Sequence, residues 1–243
     1  NLISIVSHDL NNHLAIINST LELTMSADGN EKKEKFSKSM QPKALRSSRQ
    51  IGAIIKNVRM LNTISEWGVQ ESLTPVNLLE TIPSSIEDMS EFAAAKKINL
   101  ISELPEYLDE IEGYNSPLRS SVFNNLISNA VKFSAKNGDV TISSSVDNDY
   151  VYIHITDSGD GIKEEFREGI FDQHTKTHSK GNKGEDGTGF GLPIAYTILK
   201  QCSAEISFTT SCEGEEGRTG TIFTIKFLKA TTNSANISKQ AAS

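Results

Sequence analysis

The sequence lacks several features that define large classes of proteins. It has only two cysteines, Cys202 and Cys212, whose spacing matches no metal site and which cannot make a disulfide framework. A reducing compartment such as the cytoplasm is therefore the simplest interpretation. The net charge of −7 provides no basic excess of the kind that a nucleic-acid-binding face requires. We therefore expect no nucleic-acid partner.

Long apolar runs are also missing. No run approaches the roughly 18 residues that a membrane span needs, and no signal peptide is visible. The chain begins Asn-Leu-Ile rather than with Met, and it begins inside a periodic pattern, so we interpret it as a fragment of a longer protein. The missing membrane segment then says nothing about that parent, which can still be membrane-anchored.

Residues 1 to about 27 have helical periodicity. One seam of this helix carries residues three or four positions apart, namely Ile3, Val6, Leu10, His13 and Ile17. After a turn signal at Asp28-Gly29-Asn30, a second helical pattern runs from about Glu31 to about Ile64. Pro42 should kink this helix or mark a late start for it.

Two long helices joined by a short turn predict a helical hairpin over residues 1–66. Each helix has one apolar stripe, and the hairpin alone has little to bury it against. Pairing with a second copy into a dimeric four-helix bundle would solve this problem. Packing of the hairpin against the rest of its own chain would solve it too.

The pattern changes after a linker at Glu66-Trp67-Gly68-Val69. Helices and alternating strands follow and predict an α+β sandwich over 72–229, with a mixed sheet covered by helices on one face. The predicted helices are 79–97, 117–135 and 192–201, and the predicted strands are 98–104, 140–146, 150–156, 204–210 and 219–228. Residues 163–186 predict a functional or mobile loop, and residues 230–243 a disordered tail.

One histidine in the first helix lies off the apolar seam. If Ile3 takes heptad position a, His8 falls at position f, on the opposite side. Asp9 follows His8 in sequence, and Asn12 lies one turn further along the same face. An exposed histidine beside a carboxylate can be a nucleophile, and it can also be an ordinary surface residue.

A polar face on the helix at 117–135 is the first candidate ligand site. Asn125, Asn129 and Lys132 are at positions i, i+4 and i+7. An amide oxygen can take one Mg²⁺ position, and the lysine can meet a phosphate oxygen. A solvated polar face is the alternative.

Two glycine-rich stretches are the other candidates. Asp157-Ser158-Gly159-Asp160-Gly161-Ile162 follows a strand, where glycines permit close approach to a ligand and a carboxylate can accept from an exocyclic amine. A plain turn is the alternative, since the carboxylate spacing of a calcium loop is missing. Gly187-Thr188-Gly189-Phe190-Gly191-Leu192 opens a helix, where backbone N–H groups and the helix dipole favour anions.

Together, these motifs resemble those of sensor histidine kinases. Asn125-x-x-x-Asn129, Asp157-x-Gly159-x-Gly161-Ile162 and Gly187-x-Gly189-x-Gly191-Leu192 match the N, G1 and G2 boxes, and Ser7-His8-Asp9-Leu10 matches the H box. The resemblance covers the chain except its tail. It implies a dimerising phosphotransfer hairpin followed by an ATP-binding domain of the Bergerat (GHKL) fold.

The resemblance also implies roles for the first helix. His8 would accept a phosphoryl group from ATP, and Asp9 would orient and activate it. Asn12 would position water in a phosphatase reaction. The phosphoryl group would pass to an aspartate of a response-regulator receiver domain. His13 stands where the family usually has proline, so we expect the bend of this helix to be weaker or differently made than in the family.

In the second domain, the resemblance implies a Mg²⁺–ATP site. Asn129 would ligate Mg²⁺, with Asn125 and Lys132 near the phosphates, and Asp157 would receive the adenine amino group. The residues expected to contact the nucleotide are Asn125, Asn129, Lys132, Phe133, Asp157, Gly159, Gly161, Ile162, Gly187, Thr188, Gly189, Phe190, Gly191 and Leu192.

Two other functions fit the same fold. One is a degenerate phosphotransfer or scaffold protein that has lost ATP, which the intact Asn129, Asp157 and glycine motifs disfavour. The other is a GHKL ATPase of the gyrase, mismatch-repair or Hsp90 kind. Those enzymes activate water with a glutamate on the N-box helix, and no glutamate lies between Val122 and Lys132.

Overall fold

A computed structural model gives the architecture of the chain. It describes residues 2–26, 31–70, 72–172, 191–212, 214 and 219–230. Within the first two helices, it describes the backbone alone at residues 2–9, 32, 50, 53 and 56–70. The predicted turn at 28–30, most of the predicted loop and the tail from residue 231 lie outside the described residues.

Two long helices open the chain. Helix α1 spans Leu2–Met25 and helix α2 spans Glu31–Gln70, and the two pack against each other. Between them, the hydroxyls of Thr24 and Ser37 are 2.7 Å apart. Because small polar side chains meet here, the hairpin interior near its turn is not purely apolar.

Helix α2 is longer than the sequence indicated. It begins at Glu31, so the late start near Pro42 is wrong, and it continues to Gln70, so the predicted linker is helical over residues 66–70. A single interior glycine such as Gly68 costs a helix only about 1 kcal/mol relative to alanine and does not end it. Glycine together with a loss of apolar period was therefore a poor stop signal.

The hairpin buries part of its apolar surface on its own chain. Ile54 of α2 is 1% exposed and belongs to the main hydrophobic core, and Leu10 of α1 packs against that core. Other large apolar side chains of the hairpin are exposed, namely Leu14, Ile16, Leu21, Met25, Phe36, Leu45 and Ile55. Contact with the rest of the chain thus leaves much of the apolar surface uncovered.

The second half begins with a short strand and a helix. Strand β1 (Thr74–Val76) pairs antiparallel with β3 (Ile111–Gly113), and helix α3 (Leu78–Lys96) lies between them in sequence. The side chain of Asn77 accepts a hydrogen bond from the N–H of Leu79 at 2.9 Å and caps α3. Strand β3 was not predicted, because three residues are too few to display a period.

The helix predicted at 117–135 has three parts. A short helix α4 (Asn115–Pro117) leads into a π-helical turn (Leu118–Phe123), which runs directly into α5 (Asn124–Phe133). Single π-helical turns inside α-helices are rare and occur frequently at functional sites. Here the wider turn immediately precedes the polar face of the predicted ligand site.

A five-stranded mixed sheet forms the centre of the second half, as predicted. Its strands are β2 (Asn99–Glu103), β4 (Asp139–Val146), β5 (Tyr150–Asp157), β6 (Glu205–Ser211) and β7 (Gly220–Leu228). The spatial order is β2-β4-β5-β7-β6, with β2 parallel to β4 and the other pairs antiparallel. The turn between β4 and β5 is closed by the Asp147 carboxylate, which accepts from the N–H groups of Asp149 and Tyr150.

Helices cover one face of the sheet. Helices α3, α5 and α7 (Gly191–Gln201) contact its strands, and alternate residues of β5 and β7 are buried on that face. Part of the predicted loop is ordered as a short helix α6 (Glu164–Arg167). In the described part of the chain, no helix is long and apolar enough to cross a membrane.

Candidate nucleotide-binding site

The centre of the site is a carboxylate at the end of β5, where it continues the row of buried side chains of that strand. Val151, Ile153 and Ile155 alternate along β5 and are fully buried, and Asp157 is the next residue of this row. Because side chains two apart in a strand share a face, Asp157 points to the helix-covered side of the sheet and is only 9% exposed. An acidic residue thus occupies a position that the strand pattern assigns to the core.

Two backbone N–H groups hold this carboxylate. Gly159 N–H donates to Asp157 Oδ1 at 2.9 Å, and Thr221 N–H donates to the same oxygen at 3.2 Å. Burial raises the pKa of the Asp157 carboxyl to about 6, and the two hydrogen bonds oppose this rise. The group is therefore ionised at neutral pH, but it is costly to keep charged where it lies.

The glycines after β5 are required by close backbone approach. A Cβ on Gly159 would lie 2.5 Å from the Phe133 carbonyl oxygen, and a Cβ on Gly161 would lie 2.3 Å from the Ser211 carbonyl oxygen. Gly161 also has φ of +75°, which favours glycine. The sequence interpretation assigned these glycines to close approach of a ligand, whereas the described contacts are with protein backbone at the end of α5 and the end of β6.

Asn125 joins two helices. Its side-chain amide donates to the carbonyl of Ser121, at 2.6 Å, and to the carbonyl of Gly191, at 3.3 Å. The first contact reaches back onto the π-helical turn, and the second reaches the first residue of α7. Asn125 therefore fixes the start of α7 against α5, in addition to the place near the phosphates that the resemblance implies for it.

The other two polar residues of α5 lie at the boundary of the core. Asn129 and Lys132 are half-buried, whereas Leu126, Ile127, Ala130 and Val131 are buried. The ammonium of Lys132 lies 5.0 Å from the centre of the Phe133 ring. The predicted helix face of two amides and a cation is thus present, and it is not a fully solvated one.

The remaining predicted residues of the glycine-rich stretches are partly described. Ile162 N–H donates to the hydroxyl of Thr210 at 2.8 Å, and Leu192 packs against the core. Gly191 lies beside Asn125, where an added Cβ would come 3.4 Å from the amide carbon. Gly187, Thr188, Gly189 and Phe190 lie outside the described residues.

Helix α1 contains the predicted nucleophile. The backbone of His8 and Asp9 lies in this helix, and their side chains lie outside the described atoms. Asn12 is exposed, as the heptad assignment predicts for that face. His13 is half-buried, in agreement with its place on the apolar seam.

Sequence reasoning missed two threonines of the site. Thr221 is 4% exposed and donates its N–H to Asp157, and its hydroxyl lies 3.1 Å from that of Thr210. Thr210 also donates to the carbonyl of Gly220 at 3.0 Å. A sequence signal for Thr221 did exist. Thr221 extends the alternating apolar series Phe223, Ile225 and Phe227, and a polar residue in such a buried series is unusual.

These groups suit an adenine nucleotide with a metal-bound phosphate chain. A carboxylate has two oxygens, and only Oδ1 of Asp157 accepts the two N–H groups, so Oδ2 can accept from an exocyclic amine. Asn129 and Lys132 offer the oxygen ligand and the cation that Mg²⁺ and phosphate take. Among the described residues, no group of three or more His, Cys, Asp or Glu could hold a metal alone.

Part of the chain matches a known protein family. Residues 116–231 match the family described as histidine kinase-, DNA gyrase B-, and HSP90-like ATPase. This segment contains α5, the end of β5, α7 and the paired β6 and β7, so the whole described site lies within it. Residues 116–231 are therefore similar to the ATPase-type domains of this family.

The chain as a whole is similar to sensor histidine kinases. It is 26% identical over 203 residues to the adaptive-response sensory kinase SasA of Crocosphaera subtropica. This alignment covers 82% of this chain and 52% of SasA. It is 28% identical over 228 residues to the aerobic respiration control sensor protein ArcB of Escherichia coli, covering 92% of this chain and 28% of ArcB. The chain thus spans about half or less of these relatives.

Solved structures share the fold. The histidine kinase AdeS of Acinetobacter baumannii superposes with a TM-score of 0.66 at 18% identity, over 91% of this chain and 98% of that one. The histidine kinase ThkA, in a complex with the response regulator protein TrrA, superposes with a TM-score of 0.61 at 22% identity, over 94% of this chain and 61% of that one. These likenesses extend over both the hairpin and the sandwich.

Proposed function

We propose that this chain is the catalytic part of an ATP-dependent protein-histidine kinase that phosphorylates its own His8. The observation that carries the proposal is the Asp157 carboxylate, held by two N–H groups at the end of a buried strand, with the end of α5 packed against the adjacent Gly159. An adenine-nucleotide site permits several functions, and the similarity to sensor histidine kinases favours the kinase.

The residues of the second domain would bind and orient ATP. Asp157 would accept a hydrogen bond from the adenine amino group. Asn129 would hold Mg²⁺, which when bound neutralises charge on the phosphate chain. Lys132 and Asn125 would lie near the phosphates. Catalysis of phosphoryl transfer is largely positioning and charge stabilisation, so this domain needs no nucleophile of its own.

His8 would supply the nucleophile. The unprotonated nitrogen of its neutral imidazole would form a bond to the γ-phosphorus while the bond from that phosphorus to the bridging oxygen breaks, and ADP leaves. Asp9 would accept a hydrogen bond from the proton on the other ring nitrogen and stabilise the positive charge that develops on the ring.

We further propose that residues 1–66 form a homodimer and that 72–229 form the ATP-binding domain. A second hairpin would cover the apolar side chains that stay exposed on α1 and α2. The contact that α2 makes with α7 must then open or shift when His8 meets the nucleotide.

The phosphoryl group would pass from His8 to an aspartate of a response-regulator receiver domain. The solved complex of ThkA with the response regulator TrrA supports this class of partner for a protein of the same fold. Asn12, which is exposed one turn after His8, would position water for the reverse role as phosphatase of that regulator.

Incubation with Mg²⁺ and ATP that carries a radioactive γ-phosphate tests the kinase proposal. We expect an acid-labile, base-stable label that is absent from His8→Gln and from Asn129→Ala. ATP binding without any label would favour a degenerate scaffold instead. Release of inorganic phosphate at a rate indifferent to His8 would favour a hydrolase of the gyrase or Hsp90 kind.

A further inference from the structure

A buried lysine lies outside every motif of the site. Lys96, in the last turn of α3, is 8% exposed. Lysine is almost never this buried unless its ammonium has partners. Its Nζ donates to the backbone carbonyl of Lys132 at 3.1 Å and lies 5.4 Å from the centre of the Phe92 ring. The acceptor belongs to the helix that carries the polar face of the nucleotide site.

The position of this ammonium explains why a cation is stable there. Lys132 is the residue before the last of α5, and the carbonyls of a final helical turn lack intrahelical partners and carry partial negative charge. Lys96 itself lies in the last turn of α3, where a cation is also favoured. The ammonium therefore ties the end of α5 to the end of α3.

Short contacts connect this end of α5 to Asp157, the carboxylate that would bind adenine in the proposed site. The Phe133 carbonyl lies so close to Gly159 that no Cβ fits between them, and Ser134 and Gly159 form an antiparallel bridge. Gly159 N–H in turn donates to Asp157 Oδ1. A shift of the last turn of α5 would therefore displace Gly159 and remove a hydrogen bond from Asp157.

We infer that Lys96 is a positioning residue of the nucleotide site. It acts through the Lys132 carbonyl, which fixes the end of α5, and through Gly159, which holds Asp157. It is not among the residues proposed to contact the nucleotide or the metal. The inference rests on the proposed function, since it presumes that the Asp157 site binds an adenine nucleotide.

Calorimetric titration of the full chain with Mg²⁺–ADP tests the inference. Lys96→Met keeps the aliphatic stem and removes the ammonium, and we expect it to raise the Kd about tenfold. Lys96→Arg, which restores a cation, should recover most of the affinity. Lys97→Gln removes an exposed cation from the next residue and should leave the Kd within about twofold of the wild-type value.

A stability control separates positioning from simple destabilisation. Ile82→Val truncates a fully buried side chain of α3 and should lower the Tm without changing the Kd. The inference is overturned if folded Lys96→Met binds Mg²⁺–ADP as tightly as the wild type, or if Ile82→Val weakens binding equally. Should Lys96→Met not fold, Lys96→Gln must weaken binding about threefold, and an unchanged Kd contradicts the inference. Failure of the wild type to bind Mg²⁺–ADP would instead refute the proposed function, and the inference with it.

Discussion

Asp157 is a single residue of the proposed binding site whose buried charge lowers the stability of the folded protein. Its pKa rises from 3.8 to about 6, so the folded state holds the proton more tightly than the unfolded state does. The associated stability is present below pH 4 and is lost as the pH rises through 6. Two pKa units correspond to about 3 kcal/mol, which is an upper figure for the cost at neutral pH.

Asp157→Asn should therefore stabilise the nucleotide-free protein while abolishing nucleotide binding. The amide oxygen can still accept from Gly159 and Thr221, whereas the buried charge is removed. We expect the free energy of unfolding at pH 7.5 to rise by about 1–3 kcal/mol. Urea denaturation at pH 7.5 and at pH 4 measures this difference, which should nearly vanish at the lower pH.

Asp160→Asn is the matched control for this substitution. Asp160 lies in the same glycine-rich stretch but is exposed, so its replacement should change the free energy of unfolding by less than about 0.5 kcal/mol. Equal stability of Asp157→Asn and the wild type at pH 7.5 would contradict the assignment of Asp157 as a carboxylate kept charged at a cost.

At the scale of elements, helix α2 contains a glycine that packing does not require. Gly52 lies in the helix interior, and an added Cβ there would meet nothing within 4 Å. Gly52→Ala should thus stabilise the protein by about 0.5–1 kcal/mol, because glycine loses more backbone entropy in a helix than alanine does. Thermal unfolding followed by circular dichroism measures the change, and a lower Tm would show that α2 needs flexibility or space at this position.

Regular elements were predictable because they repeat a period over many residues. The two long helices display one, and so do strands such as β5 and β7. The π-helical turn at 118–123 and strand β3 were not predictable. The turn inserts its extra residue without changing the composition of the helix. Strand β3 depends on pairing with β1, and the central pair, Pro75 and Glu112, lies 37 residues apart in sequence.

The candidate site was predictable in its residue types and less so in its contacts. Asp157, Asn129 and Lys132 were singled out because carboxylate, amide and ammonium groups occurred at positions that a core or a plain helix does not require, and their roles stay predictions. Two hydrogen bonds were not predicted, from the Asn125 amide to the Gly191 carbonyl and from the Thr221 N–H to Asp157. Each joins residues more than 60 positions apart in sequence. Such contacts depend on tertiary packing, which no local pattern encodes.

At the scale of the whole molecule, the exposed apolar side chains of the hairpin are those that the proposed dimer would cover. Leu45 is 54% exposed on α2, and Leu45→Glu should weaken the proposed dimer, because a charge would then be buried in its four-helix bundle. Analytical ultracentrifugation should detect a shift toward monomer. Phe92→Glu, on an exposed part of the ATP-binding half, should remain dimeric, and dimers that persist equally in both variants would refute the hairpin interface.

The central claim joins the two halves of the molecule, because a nucleotide site in one half would phosphorylate a histidine in the other. The chain has five histidines, which are His8, His13, His154, His174 and His178. Peptide mapping by mass spectrometry, after incubation with Mg²⁺–ATP and under alkaline handling, identifies the residue that carries the phosphoryl group. We predict phosphohistidine at His8 alone, and its loss in Asp157→Asn. Phosphorylation at another histidine, or none in a chain that binds ATP, would contradict the account.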